Sequence, residues 1–569
     1  MNDLRRTLLW SVFAVSLLMM WDGWLRHTGQ PSLFAPPAPH ATTVAEPQGG
    51  ASGAGSASSL PTAAATTANG GAAPAPGVAA TAAPAAHELI TFTTDVAKIT
   101  LDTQGGDVVK VELLKHVDQD DATKNVVVLT QSPVHTYVAQ TGLIGGGSAE
   151  HLPTHLTPMT VLTPQRDLAD GAQELVVKLE SAPVDGVKLL KTYTFKRGDY
   201  AIGVKHEVVN ASAATVHPQL YLQLVRDGSQ PVQVGPSFLS GPQAYTGPAV
   251  YSAKARYQKV DFKHLDENSA EFEKTDTLGW VAMVQHYFAS AWLHNDAAPR
   301  TFFAEKTGPN LYRTGMLFPL GDVAAGQSKA FDATLFVGPQ EEKKLAVLAP
   351  GLELVKDYGW QRVLAEPLFW LLDQLHTLIG NWGWAIVALV VLLKAAFYWL
   401  NAKAYQSMAK MKALNPRIQA MRESLKDNPQ QMQQEMLKIY REEKVNPIGG
   451  CLPIVIQIPV FISLYSVLLS SVEMRNAPWI GWIHDLSIKD PFFILPALMT
   501  ASTLLQTWLN PTPPDPVQAK MMWIMPMLFS VMFFFFPAGL VLYWFTNNVL
   551  SIAQQWMINR KIEAATATK

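Results

Sequence analysis

Cysteine is almost absent from the 569 residues: Cys451 stands alone, which excludes an intrachain disulfide and any multi-cysteine metal site. In Gly449-Gly450-Cys451-Leu452-Pro453 it opens an apolar run and reads as a small packed residue. Charge is scarce as well. Charged residues make up 16% of the chain against 48% hydrophobic, a balance that leans toward membrane. The net charge of −2 says little, but the basic residues gather near the ends of apolar runs and form no long nucleic-acid-like patch. No cysteine follows the first apolar stretch to carry a lipid, and no A-x-A-like cleavage site directly follows it. Neither a nucleophile motif nor metal-ligand spacing links His116, His135, His206 and His264, which read as surface or structural residues. No catalytic motif is present, so no enzyme activity, cofactor or metal is expected.

One more absence matters most. Lys394 lies inside an apolar run, residues 382–400, long enough to cross a bilayer, and no other apolar run of the C-terminal half holds an Asp, Glu or His to neutralise it. A lysine at the centre of a span costs roughly 2.5 to 3.5 kcal/mol on insertion scales, so such residues persist where they face a protein interior or a wet cavity. Lys394 therefore marks a functional position.

What is present divides the chain into distinct textures. Residues 1–25 carry Arg5-Arg6, an apolar core and then Trp21 and Trp24, the order of an uncleaved signal anchor. Residues 26–87 are rich in Ala, Pro and Gly, with too few large apolar side chains to offset ordering entropy, and read as a flexible linker. Residues 88–350 change to short alternating stretches such as Lys191-Thr192-Tyr193-Thr194-Phe195-Lys196 and Leu220-Tyr221-Leu222-Gln223-Leu224, which predict a large antiparallel β-sandwich. Residues 351–375 interleave Val355, Tyr358, Leu364 and Phe369 with Lys356, Gln361 and Arg362, the pattern of an interfacial amphipathic helix.

Five further spans are expected at 376–400, 447–472, 491–509, 519–536 and 538–558, with a helical hairpin over 401–446 and a tail over 559–569. Together with the anchor they make six. The 401–446 segment holds nine Lys or Arg (Lys403, Lys410, Lys412, Arg417, Arg422, Lys426, Lys438, Arg441, Lys444), whereas 471–490 holds only Arg475 and Lys489, which makes the first cytoplasmic. Both termini then lie inside and the β domain outside, in the periplasm of a bacterial inner membrane. The fold class expected is a multi-pass α-helical membrane protein with a periplasmic all-β domain.

Polar groups recur at membrane depth: Gln457, Gln506, and Thr546, Asn547 and Asn548 in the last run. Each alone is explained by interhelical hydrogen bonding, but together with Lys394 they suggest a hydrated groove. The run with Met525, Phe529 and Met532 offers a smooth, soft surface to a passing helix or to lipid. In the hairpin, Met408, Met411 and Met421 on one arm and Met432 and Met436 on the other recur at helical spacing around a turn at Asp427-Asn428-Pro429. Its basic residues are available to RNA or anionic lipid.

Ser407-Met408-Ala409-Lys410-Met411, Gln419-Ala420-Met421-Arg422-Glu423 and Glu443-Lys444-Val445-Asn446-Pro447-Ile448-Gly449-Gly450-Cys451 resemble the YidC/Oxa/Alb family of membrane protein insertases. So do Trp482-Ile483-His484-Asp485-Leu486 and Phe536-Pro537-Ala538-Gly539-Leu540-Val541-Leu542-Tyr543. The order of these motifs across residues 367–560, with the anchor, linker and outer domain, resembles the Gram-negative form, whose periplasmic domain is a β-supersandwich. The resemblance implies five core helices around a groove open to cytoplasm and lipid, with Lys394, Gln457 and Asn548 at groove positions. It also implies nascent membrane proteins as substrates, and the Sec translocon with its accessory subunits and the ribosome as partners, the last through the cytoplasmic loops. Where the family usually has Arg, this chain has Lys394, which keeps the charge and loses the bidentate fork. Trp544 stands where a second Tyr often follows Tyr543. Two other readings stay open from the residues alone: a secondary transporter, against which stands the lack of a membrane carboxylate, and a membrane-anchored periplasmic carbohydrate-binding protein, which leaves the helical half unexplained.

Overall fold

The computed structural model describes residues 87–119, 121, 123–146, 150–229, 244–425, 428–443, 452–510 and 516–567. The expected anchor at 1–25, nearly all of the expected linker and Cys451 lie outside the described residues.

The described residues between 89 and 339 form two nine-stranded antiparallel sheets packed face to face. In one, strand Pro218–Asp227 pairs with Thr136–Gly145 and Leu311–Pro319. In the other, Ser328–Pro339 pairs with Ala201–Asn210 and Phe288–His294. The alternation in the sequence is what builds this sandwich. Along Val187–Lys196 every second residue from Val187 to Phe195 is buried, as the two-residue period of a strand requires. Trp280 and Trp292 fill the centre, and each indole finds an acceptor, Pro350 O at 3.1 Å and Gln223 O at 3.0 Å.

The same alternation turns Lys191 inward, where it is wholly buried. Its Nζ donates to Gly105 O at 2.6 Å and Thr141 O at 2.9 Å and lies 3.5 Å from Asp107 Oδ1. Burial holds the Lys191 pKa down and raises Asp107 to about 7 despite the nearby ammonium. His206 is equally buried, 3.0 Å from Thr141 Oγ1, and His155 sits 2.7 Å from the Tyr221 hydroxyl; desolvation pushes them down to about 3 and about 4. His135 and His264 are exposed.

One short helix, α1 (Phe262–Asp266), interrupts the sandwich, and a second, α2 (Glu342–Leu348), follows its last strand before the chain enters the helical half. Short 3-10 turns at Leu352–Val355 and Gly359–Gln361 precede α3 (Arg362–Ile379), so regular helix begins eleven residues after the expected start at 351. The run breaks first at Lys356, whose extended backbone (φ −74°, ψ 91°) ends the first turn, and the second turn opens on Gly359 with φ +57°. Helix α3 buries Ala365, Phe369 and Leu372 and exposes Val363, Trp370 and Leu378 on its other side. Gly380 ends it in the left-handed conformation, and Asn381 caps the next helix by accepting from Trp384 N at 3.0 Å.

That next helix, α4 (Trp382–Ala396), stops at Phe397 and meets α5 (Tyr398–Ser424) at 63°. Helix α6 (Pro429–Glu442) returns beside α5, opened by Asn428, whose side chain accepts from Gln431 N. Then follow α7 (Leu452–Ser470), α8 (Ile494–Leu509), α9 (Pro516–Met532) with a 3-10 turn at Phe533–Phe535, and α10 (Ala538–Ala567). Ile386 and Leu389 of α4, Leu464 and Val467 of α7, Leu495 and Met499 of α8 and Leu540 to Tyr543 of α10 make one apolar core. Among the described residues no single helix is long and apolar enough to cross a membrane, although α4 and the start of α5 together pass that test.

Candidate functional site

The break at Phe397 ends α4 just after Lys394, so its side chain projects beside the bend. There α4, the start of α5, α7 and α10 enclose a small cavity of about 30 Å³. Val390, Leu393, Phe397, Leu400 and Val460 supply apolar walls, and Lys394, Asn401, Gln457, Tyr543 and Asn547 the polar surface.

The polar groups are linked. Lys394 Nζ donates to Ser551 Oγ at 2.7 Å, and Ser551 Oγ donates to Asn547 O one turn earlier, also at 2.7 Å. Gln457 Nε2 donates to Asn547 Oδ1 at 2.6 Å. Three helices thus meet in one chain of hydrogen bonds. Among the described residues no carboxylate pairs with Lys394, so its charge is stabilised only by neutral dipoles. Chemically, this site holds one cation with no carboxylate partner among the described residues and three amides, Asn401, Gln457 and Asn547, at the edge of an apolar cavity. It can attract an anionic or strongly polar group away from water.

Of the sequence-derived groove residues, the fold brings Lys394 and Gln457 together at the cavity. Asn548 faces elsewhere. Its Nδ2 donates to Ser502 Oγ at 3.3 Å and Thr503 Oγ1 at 2.8 Å, fastening α10 to α8. The adjacent Asn547 occupies the cavity instead, because one residue step turns a side chain about 100° around a helix. Thr546 and Gln506 are half-buried and do not line the cavity. Ser551 and Asn401 escaped the sequence reading altogether. The available signal was the i, i+4 spacing of Asn547 and Ser551, which puts both on one face of α10.

On α9, Met525 and Phe529 are exposed, while Met532 is half-buried against the helical core. Ile524, Met527, Leu528 and Val531 are also exposed, leaving much of α9 as bare apolar surface. In the hairpin, Ile418 and Ile439 are buried and Met421, Met432 and Met436 half-buried; the side chains of Met408 and Met411 lie outside the described residues. Arg417 bridges the arms through Glu442 at 3.2 Å and Glu443 at 3.0 Å. Among the described residues no group of three or more His, Cys, Asp or Glu gathers as metal ligands would.

Comparison with known proteins adds to this geometry. Residues 89–371 match the family described as the YidC periplasmic domain, and residues 374–565 match the 60Kd inner membrane protein family. The membrane protein insertase YidC of Cupriavidus necator is 52% identical over 569 residues, covering 98% of this chain and 98% of its own. That of Burkholderia orbicola is 53% identical, again with 98% of each chain covered. A solved structure, an active YidC insertase with its first transmembrane domain resolved, is 21% identical, covers 82% of this chain and 91% of that chain, and has a TM-score of 0.37. A likeness that low adds nothing to the sequence relationship.

Proposed function

Because this chain belongs to the YidC family of membrane protein insertases, we propose that it inserts integral inner-membrane proteins and helps them fold, using the cavity at Lys394 as the entry point for their polar segments. The observation that carries this reading is the cation itself: Lys394 borders the cavity with Gln457 and Asn547 and has no carboxylate partner among the described residues. A polar, often acidic, tail of a nascent chain crossing hydrocarbon faces a large desolvation penalty. Amides and an ammonium at membrane depth offset part of it, while the apolar segment leaves along lipid. The exposed face of α9, with Met525 and Phe529, suits that exit. Driving force comes from burial of the apolar span, aided by the membrane potential at about 2.3 kcal/mol per charge per 100 mV. No covalent step is needed.

In this reading the chain crosses the inner membrane six times, with both termini and the hairpin in the cytoplasm and the sandwich in the periplasm; the excess of Lys and Arg in residues 401–446 supports that orientation. The sixteen residues of α8 span about 24 Å, short of a typical hydrocarbon core, so local bilayer thinning accompanies the bundle. The Sec translocon, ribosome contact through the hairpin and the loop after α8, and anionic lipid at the basic hairpin belong to the same proposal.

Reconstitution tests it. Purified protein in liposomes inserts a small single-span substrate with an acidic tail well above empty liposomes. Lys394→Arg retains most of that activity and Lys394→Ala loses about tenfold, roughly one charge-assisted interaction. Insertion equal to empty liposomes sinks the insertase reading, and equal activity of the two variants removes Lys394 from it.

A further inference from the structure

Lys394 stands only two residues before the end of α4, next to the 63° bend. A lysine so placed has a four-carbon stem long enough to snorkel toward the nearest water, carrying its charge out of the cavity. The geometry points to Ser551 as the residue that prevents this: we propose that Ser551 is a positioning residue that holds the Lys394 ammonium inside the groove, and that recognition of acidic substrate segments depends on it. This inference rests on the insertase reading of the cavity.

Three observations carry it. First, Ser551 is buried on α10, so its hydroxyl is fixed by the bundle and not by solvent. Second, the direction of its hydrogen bonds is set. A hydroxyl has one proton and two lone pairs; Asn547 O, at 2.7 Å, takes the proton, which leaves only acceptor capacity toward Nζ at 2.7 Å. An ammonium is all donor, so the match is polar-complementary without a counter-charge. Third, the ammonium has three N–H bonds, and Ser551 uses one. Among the described residues no other acceptor takes the remaining donors, which leaves them for a carboxylate entering from the cavity, whereas an Asp or Glu in place of Ser551 would neutralise the charge. A neutral acceptor therefore anchors the cation while keeping it available. Asn547 takes part twice, its carbonyl orienting Ser551 and its side chain accepting from Gln457, so the anchor is braced from α7 as well.

The test is a double-mutant cycle read on a ratio. Proteoliposomes are offered two substrates identical except that the translocated tail carries Asp in one and Asn in the other. Wild-type protein, Lys394→Ala, Ser551→Ala, Ser551→Thr and the Lys394→Ala/Ser551→Ala double variant are compared at matched protein amounts, with thermal unfolding in detergent as the folding control. The expected result is that Ser551→Ala lowers the acidic-to-neutral insertion ratio about tenfold, as Lys394→Ala does. The double variant should be no worse than Lys394→Ala, and Ser551→Thr should restore the ratio. Ser551→Cys, close in size but a weak acceptor, serves the same comparison if the Ala variant fails to accumulate. An unchanged ratio in Ser551→Ala, or a loss that adds to that of Lys394→Ala, overturns the positioning role and leaves the charge reading intact. A wild-type ratio in Lys394→Ala overturns the charge reading itself, and the positioning role with it.

Discussion

At the scale of single residues, burial decides which polar groups matter and in which state. His206 and His155 are held neutral inside the sandwich, pushed down from 6.5 to about 3 and about 4 by desolvation. A depressed folded-state pKa contributes stability that is complete above the unfolded value and drains away as pH falls from about 6.5 toward the folded values. Asp107, raised to about 7, acts in the opposite sense over about pH 4 to 7, since its neutral form is the one the fold accepts. The two are separated by mutation. His206→Asn should flatten the fall in melting temperature between pH 6.5 and 4; a variant whose acid profile overlays the wild type shows that His206 does not titrate against folding. These residues also show what sequence alone reveals. Lys394 was legible because a charge in an apolar run has few explanations, and Gln457 because an amide there has few more. Asn547 could not be told from Asn548, since their faces on α10 are set by how that helix packs on α7 and α8. Serines are too ordinary in helices to single out Ser551.

At the scale of elements, the breaks carry as much meaning as the helices. The sandwich strands were readable from their two-residue alternation, and the hairpin turn from Asn428-Pro429, because both patterns are local. The bend at Phe397 was not, because no Pro or Gly marks it; α5 turns away where its residues become the basic hairpin arm. The start of α4 depends on a close approach. A β-carbon on Gly383 would come within 2.2 Å of the Trp479 ring, so only glycine lets α4 lie against the loop between α7 and α8. Gly383→Val should destabilise the protein by about 2 kcal/mol, overpacking outweighing any gain in helix propensity. Thermal unfolding in detergent reads this directly, and an unchanged melting temperature means that Trp479 swings away freely.

At the scale of the whole molecule, sandwich and helical bundle are clamped by charges that no sequence pattern links. Lys356 is fully buried, with Nζ 3.3 Å from Glu473 Oε2, 3.9 Å from Glu342 Oε2 and 3.6 Å above the Phe369 ring. Arg475 donates to Val117 O at 2.8 Å and lies over Tyr287 and Phe288, and His286 Nε2 sits 2.9 Å from Leu469 O. Val472, from the turn after α7, packs into the sandwich core itself. Removing one partner from such a buried cluster strands the others, at a cost of about 3 to 5 kcal/mol. Lys356→Ala should therefore broaden the spin-label distance distribution between the sandwich and α7; a distribution as narrow as the wild type's assigns the clamp to apolar packing alone. The partners lie 117 residues apart in the chain, which is why Lys356 read as one more polar position on an interfacial helix.

The central claim is that the cavity at Lys394 is the path of the substrate, and photocrosslinking along the helices tests it most directly. With a photoreactive residue in turn at positions 457, 547 and 548 and a ribosome-stalled membrane-protein chain as the probe, the account predicts capture from 457 and 547 and little from 548, which faces α8. Capture from 548 with none from 457 and 547 would contradict it.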